Sequence, residues 1–203
     1  MLSKNFLYGK DKLTVESVIK ILDGKLDCLV GDEELLKINQ SRRSIINVLK
    51  SERNTYGVNT GIGVLCSTII SKEDSRLLQE NLLKSHAVGV GENVPFEISK
   101  LMLIIKVHSL CKGFSGISIE VIERICWHID NNIIPIVPSQ GSVGASGDLA
   151  PLSHLFLPLI GEGKVLYKGK EVESKKVLQK EKKSLISLKE KEGLALINGT
   201  QFI

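Results

Sequence analysis

The sequence predicts a mainly α-helical fold carrying one small β hairpin, on three observations. Apolar residues recur at three- and four-residue spacing in a series of long stretches. Capping residues such as Thr14 precede these stretches, and glycines such as Gly24 and Gly113 follow them. The one short segment with strand-like character, Lys164 to Val172, is centred on a Lys168-Gly169 turn.

Taken in order, Thr14 caps a helix through Val15, Val18, Ile19 and Leu22, closed by Gly24. Asp32 to Arg53 reads as a longer helix with Leu35, Ile38, Ile45 and Leu49 on one stripe, which Arg42 interrupts. A third helix is expected over Ser71 to His86, with Leu77, Leu78, Leu82 and Leu83 at helical spacing. Glu73 and Asp74 in its first turn suit the positive end of the helix dipole. Pro95 opens a fourth helix, which runs through Leu101-Met102-Leu103-Ile104-Ile105 to Leu110 and stops at Gly113. It is apolar nearly all round and is expected to be buried on most faces.

A fifth helix runs from about Ile119 through Ile122 and Cys126 to Ile129. Pro135 and Pro138 impose an extended segment. The glycine-rich stretch Gln140 to Gly147 follows, then an apolar helix from a capping Asp148 to about Ile160. After the hairpin at 164–173, the charged stretch 174–191 is expected to be a solvated helix or linker. Residues 192–203 turn apolar again and end without a helix stop or cap. The chain therefore divides into a helical part with loops at about 1–160, the hairpin, the charged segment and a final segment.

Composition excludes several classes. Over 203 residues the hydrophobic share is 42% and the charged share 25%, ordinary values for a globular protein. A net charge of +4 with only 4% aromatics lacks the basic, aromatic-studded face of a nucleic-acid binder. Cys28, Cys66, Cys111 and Cys126 form no C-x-x-C pair, so four reduced, buried thiols are expected. The N-terminus has no apolar run fit for a secretion signal, and Leu101 to Ile105 is too short to span a bilayer. A cytoplasmic protein without membrane contact is expected. His108, His128 and His154 lie in helical, mostly apolar patterns without a third ligand, so structural histidines and no metal are expected.

Three glycine-rich segments read as loops. In Tyr56-Gly57-Val58-Asn59-Thr60-Gly61-Ile62-Gly63, a dinucleotide fingerprint would need a third glycine where Cys66 stands, and a preceding strand. A structural loop is the plainer reading, and no nucleotide is expected. In Ser85-His86-Ala87-Val88-Gly89-Val90-Gly91, a lone His at a helix end is ordinarily a dipole partner or a packing residue. The third segment is Gly141-Ser142-Val143-Gly144-Ala145-Ser146-Gly147-Asp148-Leu149-Ala150-Pro151-Leu152-Ser153-His154. It has no Lys for a phosphate loop, and Gly144-Ala145-Ser146-Gly147 falls one residue short of a nucleophile elbow.

That third segment closely resembles the signature of the aromatic amino-acid ammonia-lyases. The Tyr56 block resembles a second block of the family, and Glu192-Gly193-Leu194-Ala195-Leu196-Ile197-Asn198-Gly199-Thr200-Gln201 resembles a third. The blocks stand in the family's order and at about its spacing, so the resemblance covers about residue 8 to the end. It implies the N-terminal helical region of the ammonia-lyase and fumarase-like superfamily.

The resemblance also implies a chemistry. The backbone nitrogen of Gly147 attacks the carbonyl carbon of Ala145, and two waters leave, one of them from the Ser146 hydroxyl. The product is 4-methylidene-imidazole-5-one, an electrophilic cofactor formed by the chain from Ala145, Ser146 and Gly147. A small Ala145, a side-chain-free Gly147 and a Ser146 that supplies the methylidene carbon suit that reaction. A compressed turn would promote it. The electrophile takes up the substrate amine or, in a second account, its ring, and so divides a difficult elimination into easier steps.

By the same resemblance Tyr56 is the catalytic base, although a tyrosine titrating at ~10 needs an environment that stabilises its phenolate. Asn198 lies beside the imidazolone and stabilises developing negative charge. His86 meets the substrate ring. Ser85-His86 resembles the histidine-specific branch, which implies deamination of L-histidine to trans-urocanate and ammonia in histidine catabolism. A tyrosine- or phenylalanine-specific lyase or aminomutase is the alternative.

Ile62 stands where the family usually has Phe, and Ser153 where Ala is common. The larger departure is length. Family members are more than twice as long, and their additional part carries a carboxylate-binding arginine and most of a helical bundle. They assemble as homotetramers whose active sites are shared between subunits. The chain is therefore expected to be a fragment inactive alone, or a non-catalytic remnant that associates with a full-length homologue. If missing partners leave the Leu101–Leu110 helix exposed, aggregation is expected.

Overall fold

The computed structural model describes residues 5–51, 54–63, 68, 70–144 and 147–202. The elements are β1 (Phe6–Tyr8), α1 (Val15–Leu22), β2 (Cys28–Val30), α2 (Asp32–Lys50), α3 (Lys72–His86), β3 (Val90–Asn93), α4 (Phe96–Leu110), α5 (Ile119–Asp130), β4 (Ile134–Pro135), β5 (Pro138–Gln140), α6 (Leu149–Phe156), β6 (Lys164–Tyr167), β7 (Lys170–Glu173), α7 (Ser174–Lys180) and α8 (Glu192–Ile197). The fold is mainly helical, as the periodicity predicts.

Local chemistry sets the boundaries. Thr14 Oγ1 accepts the Ser17 N–H at 3.2 Å while Ser17 Oγ accepts the Thr14 N–H at 2.9 Å, a closed capping box that starts α1. Helix α2 ends at Lys50, short of the expected Arg53, and Glu52 and Arg53 lie outside the described residues. Ser51 turns to extended backbone there, and its hydroxyl donates to the Val48 carbonyl at 2.8 Å, competing with helix continuation. Arg42 belongs to the buried stripe of α2. Its guanidinium donates to the Gly116 and Glu190 carbonyls and pairs with the Glu190 carboxylate at 2.9 Å. On α3, Leu77 points to solvent, and Ser75, Gln79, Leu82 and Leu83 form the buried face.

The core gathers on α4 and α5. Met102, Leu103, Ile104 and Val107 meet Val121, Ile122 and Ile125, and Leu152, Phe156, Leu196 and Ile197 close over them. The Leu101–Leu110 stretch of α4 is therefore largely covered within this chain, while Phe96 and Ile98 in its first turn remain exposed. The apolar helix expected to run to Ile160 breaks at Phe156 into a 3-10 turn, Leu157–Ile160. Pro158 has no N–H to continue the α-helical ladder.

The hairpin β6–β7 turns on Lys168 and Gly169, both with positive φ, and β4 joins it to make a three-stranded antiparallel sheet. Three pairings escape the sequence reading: β4 with β6, β1 running parallel to β2, and β3 antiparallel with β5. The charged stretch 174–191 is not wholly solvated. Val177 and Leu178 of α7, and Ile186 and Leu188 beyond it, are buried. Among the thiols, Cys111 is buried, Cys28 and Cys126 are only half-buried, and Cys66 lies outside the described residues. No helix among the described residues is long and apolar enough to cross a membrane.

Candidate active site

A cleft of about 540 Å³ is lined by Tyr56, Ile62, Leu82, His86, Leu149, Lys191, Leu194 and Asn198, with Phe114 and Ser115 at its edge. The structure thus brings Tyr56, His86 and Asn198, three side chains far apart in sequence, to one cavity.

Tyr56 sits in a turn tied down by its own block. Asn59 Oδ1 accepts the Thr55 N–H at 2.7 Å, and the Asn59 carbonyl accepts the Ile70 N–H at 3.0 Å. Gly57 has φ +67, which favours glycine, and a Cβ there would push on the tip of the Leu194 side chain of α8. Tyr56 is exposed, and its hydroxyl accepts the Gly63 N–H at 3.3 Å.

His86 is the last residue of α3. Its Nδ1 lies 2.9 Å from the Leu82 carbonyl oxygen, which can only accept, so Nδ1 carries the proton. In the neutral ring Nε2 is then an acceptor.

Asn198 ends α8, and its side chain is exposed at the cavity. Helix α8 is fixed from both flanks. Gln79 Oε1 accepts the Gly193 N–H at 2.9 Å, and the buried Glu192 carboxylate accepts the Ser118 and Lys189 N–H groups. The Asn198 carbonyl accepts a hydrogen bond from Lys106 Nζ at 2.8 Å.

Gly147 reaches the same corner from the glycine-rich stretch. Its φ is +113, and a Cβ on it would lie 2.5 Å from the Gly199 carbonyl oxygen. The same carbonyl accepts the Asp148 N–H at 2.8 Å. Asp148 occupies the expected cap position, yet its carboxylate makes no capping bond to α6. It accepts the Ser142 hydroxyl at 2.9 Å and the Phe202 N–H at 2.8 Å, and so ties the two loops together. Ala145 and Ser146 lie outside the described residues.

Among the described residues the cavity lining contains no carboxylate, and Lys191 is its one lysine or arginine. Burial, then nearby Arg42, pulls the Lys191 amine below its usual range, and Nζ donates to the Ser115 carbonyl at 2.7 Å. Burial, then Lys191, lowers Lys106 to about 7. Sequence reasoning missed Phe114, Ser115, Lys106 and Lys191. The sequence signal for the first two was an aromatic in a short glycine-bounded loop, Gly113-Phe114-Ser115-Gly116, whose glycines the structure places in the left-handed region. Lys106 had the signal of a lone cation in an otherwise apolar helix face.

The remaining histidines serve packing. His154 Nε2 accepts the Gly89 N–H at 2.9 Å, His108 Nδ1 accepts the Gly9 N–H at 3.2 Å, and His128 Nδ1 donates to the Ile133 carbonyl at 2.8 Å. Among the described residues no group of three or more His, Cys, Asp or Glu is placed to hold a metal ion.

The family profile described as aromatic amino acid lyase matches residues 13–203. A curated relative from Staphylococcus saprophyticus, named histidine ammonia-lyase, is 42% identical over 191 residues, covering 94% of this chain and 38% of the relative. The solved tyrosine aminomutase from Streptomyces globisporus superposes with a TM-score of 0.89 at 34% identity, over 98% of this chain and 37% of its own. The solved histidine ammonia-lyase from Trypanosoma cruzi gives 0.87 at 35% identity, over 98% and 38%. The chain spans under two-fifths of the length of these relatives.

Proposed function

This chain belongs to the aromatic amino acid lyase family, and from that premise we propose that it is the N-terminal, cofactor-forming part of a histidine ammonia-lyase. The proposed reaction is non-oxidative deamination of L-histidine to trans-urocanate and ammonia. The observation that carries the proposal is the convergence of Tyr56, His86 and Asn198 on one cavity, with Gly147 packed against Gly199, the residue next to Asn198.

The residues present fit a methylidene-imidazolone made from Ala145, Ser146 and Gly147. Position 147 has no space for a side chain, and its backbone lies at a φ that glycine tolerates, leaving the nitrogen of Gly147 unobstructed by a Cβ. Once formed, that group supplies an electrophile for the substrate. Tyr56 acts as the base, with its oxygen turned into the cavity wall where it accepts the Gly63 N–H. His86 offers Nε2 as an acceptor for the N–H of the substrate imidazole, because Nδ1 is committed to Leu82. The Asn198 amide stabilises negative charge developing beside it.

The remaining parts of the site, a carboxylate-binding cation among them, come from outside these residues in this reading, in a homotetrameric, cytoplasmic assembly. A second reading, tyrosine as substrate, is favoured by the likeness to the tyrosine aminomutase. An Nε2 acceptor would serve a phenol hydroxyl equally well.

The test is the intact mass of the purified chain with peptide mapping. A deficit of two waters on the peptide containing Ala145-Ser146-Gly147, absent in Gly147→Ala, is expected. An unmodified mass would sink the cofactor-forming reading. Tenfold or greater preference of the assembled enzyme for L-histidine over L-tyrosine, lost in His86→Leu, would separate the two substrates.

A further inference from the structure

Lys106 is an unusual occupant of a helix interior. It lies in the middle of α4 between Ile105 and Val107 and is 2% exposed. Among the described residues no carboxylate stands within ion-pair distance of it, and its one hydrogen bond goes to the Asn198 carbonyl oxygen at 2.8 Å. A buried amine without a counter-ion is a net cost to folding, since well-packed apolar residues usually do as well or better at such positions. Its depression to about 7, with burial as the main cause, is the signature of that cost. The place where the amine is spent is specific. Asn198 lines the cavity, and the next residue, Gly199, sets its carbonyl against Gly147 while accepting the Asp148 N–H.

We infer that Lys106 is a positioning residue. Its amine pins the Asn198–Gly199 peptide from the core side, which fixes the Asn198 amide in the cavity and the Gly199 carbonyl against the Gly147 backbone. Without that bond α8 still has its grip from Gln79 and Glu192 further upstream. The residue after its last turn does not, and the seat of Gly147 loosens. Insofar as it concerns cofactor formation, this inference rests on the reading above that the tripeptide cyclises.

The test compares Lys106→Met, which keeps the shape without the donor, and Lys106→Arg, which restores a charged donor, using two readouts. One is the fraction of chain lacking two waters. The other is amide exchange in peptides 147–152 and 198–202. Loss of this buried hydrogen bond should change both readouts about tenfold in the Met variant, with recovery in the Arg variant. Global thermal stability of the Met variant should be unchanged or higher, the opposite of what a merely structural lysine would give.

Water loss and local exchange both equal to wild type in the Met variant would overturn the inference. So would exchange that rises throughout the molecule. If the wild-type chain shows no water loss, the cyclisation reading fails by itself, and local exchange alone decides whether Lys106 holds the Asn198–Gly199 peptide. If the Met variant does not fold, Lys106→Gln replaces it, with faster exchange confined to the same two peptides as the supporting result and wild-type exchange as the overturning one.

Discussion

Helices α4 and α5 and the loop-built wall of the cavity meet at Lys106, yet they are held in different ways. The helices are held by area. Met102, Leu103, Ile104, Val107, Val121, Ile122 and Ile125 are all buried and packed on one another. The wall is held by exclusion. Gly57, Gly147 and Gly193 stand where a Cβ would run into Leu194, Gly199 and Gln79, and the loops between them are tied by hydrogen bonds such as Asp148 to Ser142 and Phe202. The difference implies that stability and chemistry are separable here. Removing volume from the helices should lower stability and leave the cavity's groups in place. Changing a cavity side chain should do the reverse.

The largest expected effect is in the core. Phe156 is fully buried where α6 breaks into the 3-10 turn. Phe156→Ala should cost about 3–5 kcal/mol, through lost burial and the cavity left behind. Urea unfolding of the variant checks this. A cost below about 1 kcal/mol would mean that the core is not packed as described, and the contrast with the wall would disappear.

The next effect is a pH dependence whose largest histidine contribution lies in the core. His128 is buried on α5, with Nδ1 committed to the Ile133 carbonyl and, among the described residues, no hydrogen-bond partner for Nε2. Burial lowers it to about 4 from 6.5. Between those two values the unfolded chain binds the proton that the folded chain refuses, so stability falls as the pH drops from 6.5 to 4, and this contribution is constant below 4. The full loss is about 3 kcal/mol. Thermal unfolding across that window should show the decline, and His128→Phe should make it shallower, leaving the part that half-buried His108 and His154 contribute. A variant with the same acid slope would assign the effect elsewhere.

The two regions were also unequally readable from residues. Helices α1 and α4 followed from local signals: the Thr14 cap in one, and a run too apolar to face water in the other. The pairing of β1 with β2 did not, because it joins two three-residue strands across an intervening helix. No residue pattern announces such a pairing. Tyr56, His86 and Asn198 entered as site residues through the resemblance of their blocks to a family. Their shared cavity is a tertiary fact, and so is the contact of Gly147 with Gly199. Arg42 read as a fault in the stripe of α2 because its partner Glu190 is distant in sequence. A charge on a buried stripe is intelligible only once that partner is known.

The smallest effect on stability should come from the residue proposed to matter most for chemistry. Tyr56 is 54% exposed, and among the described residues its hydroxyl has one contact, accepting the N–H of exposed Gly63 at 3.3 Å. In Tyr56→Phe water replaces that acceptor, so unfolding should shift by no more than about 0.5 kcal/mol. The same variant, in the assembled enzyme, should lose its base and with it at least about a hundredfold in turnover. The pair of measurements sharpens the contrast, since the core variants move the first quantity and this one the second. If Tyr56→Phe instead unfolds the chain more easily by several kcal/mol, the Tyr56 turn is a structural part of the fold, and the separation of stability from chemistry fails at the cavity wall.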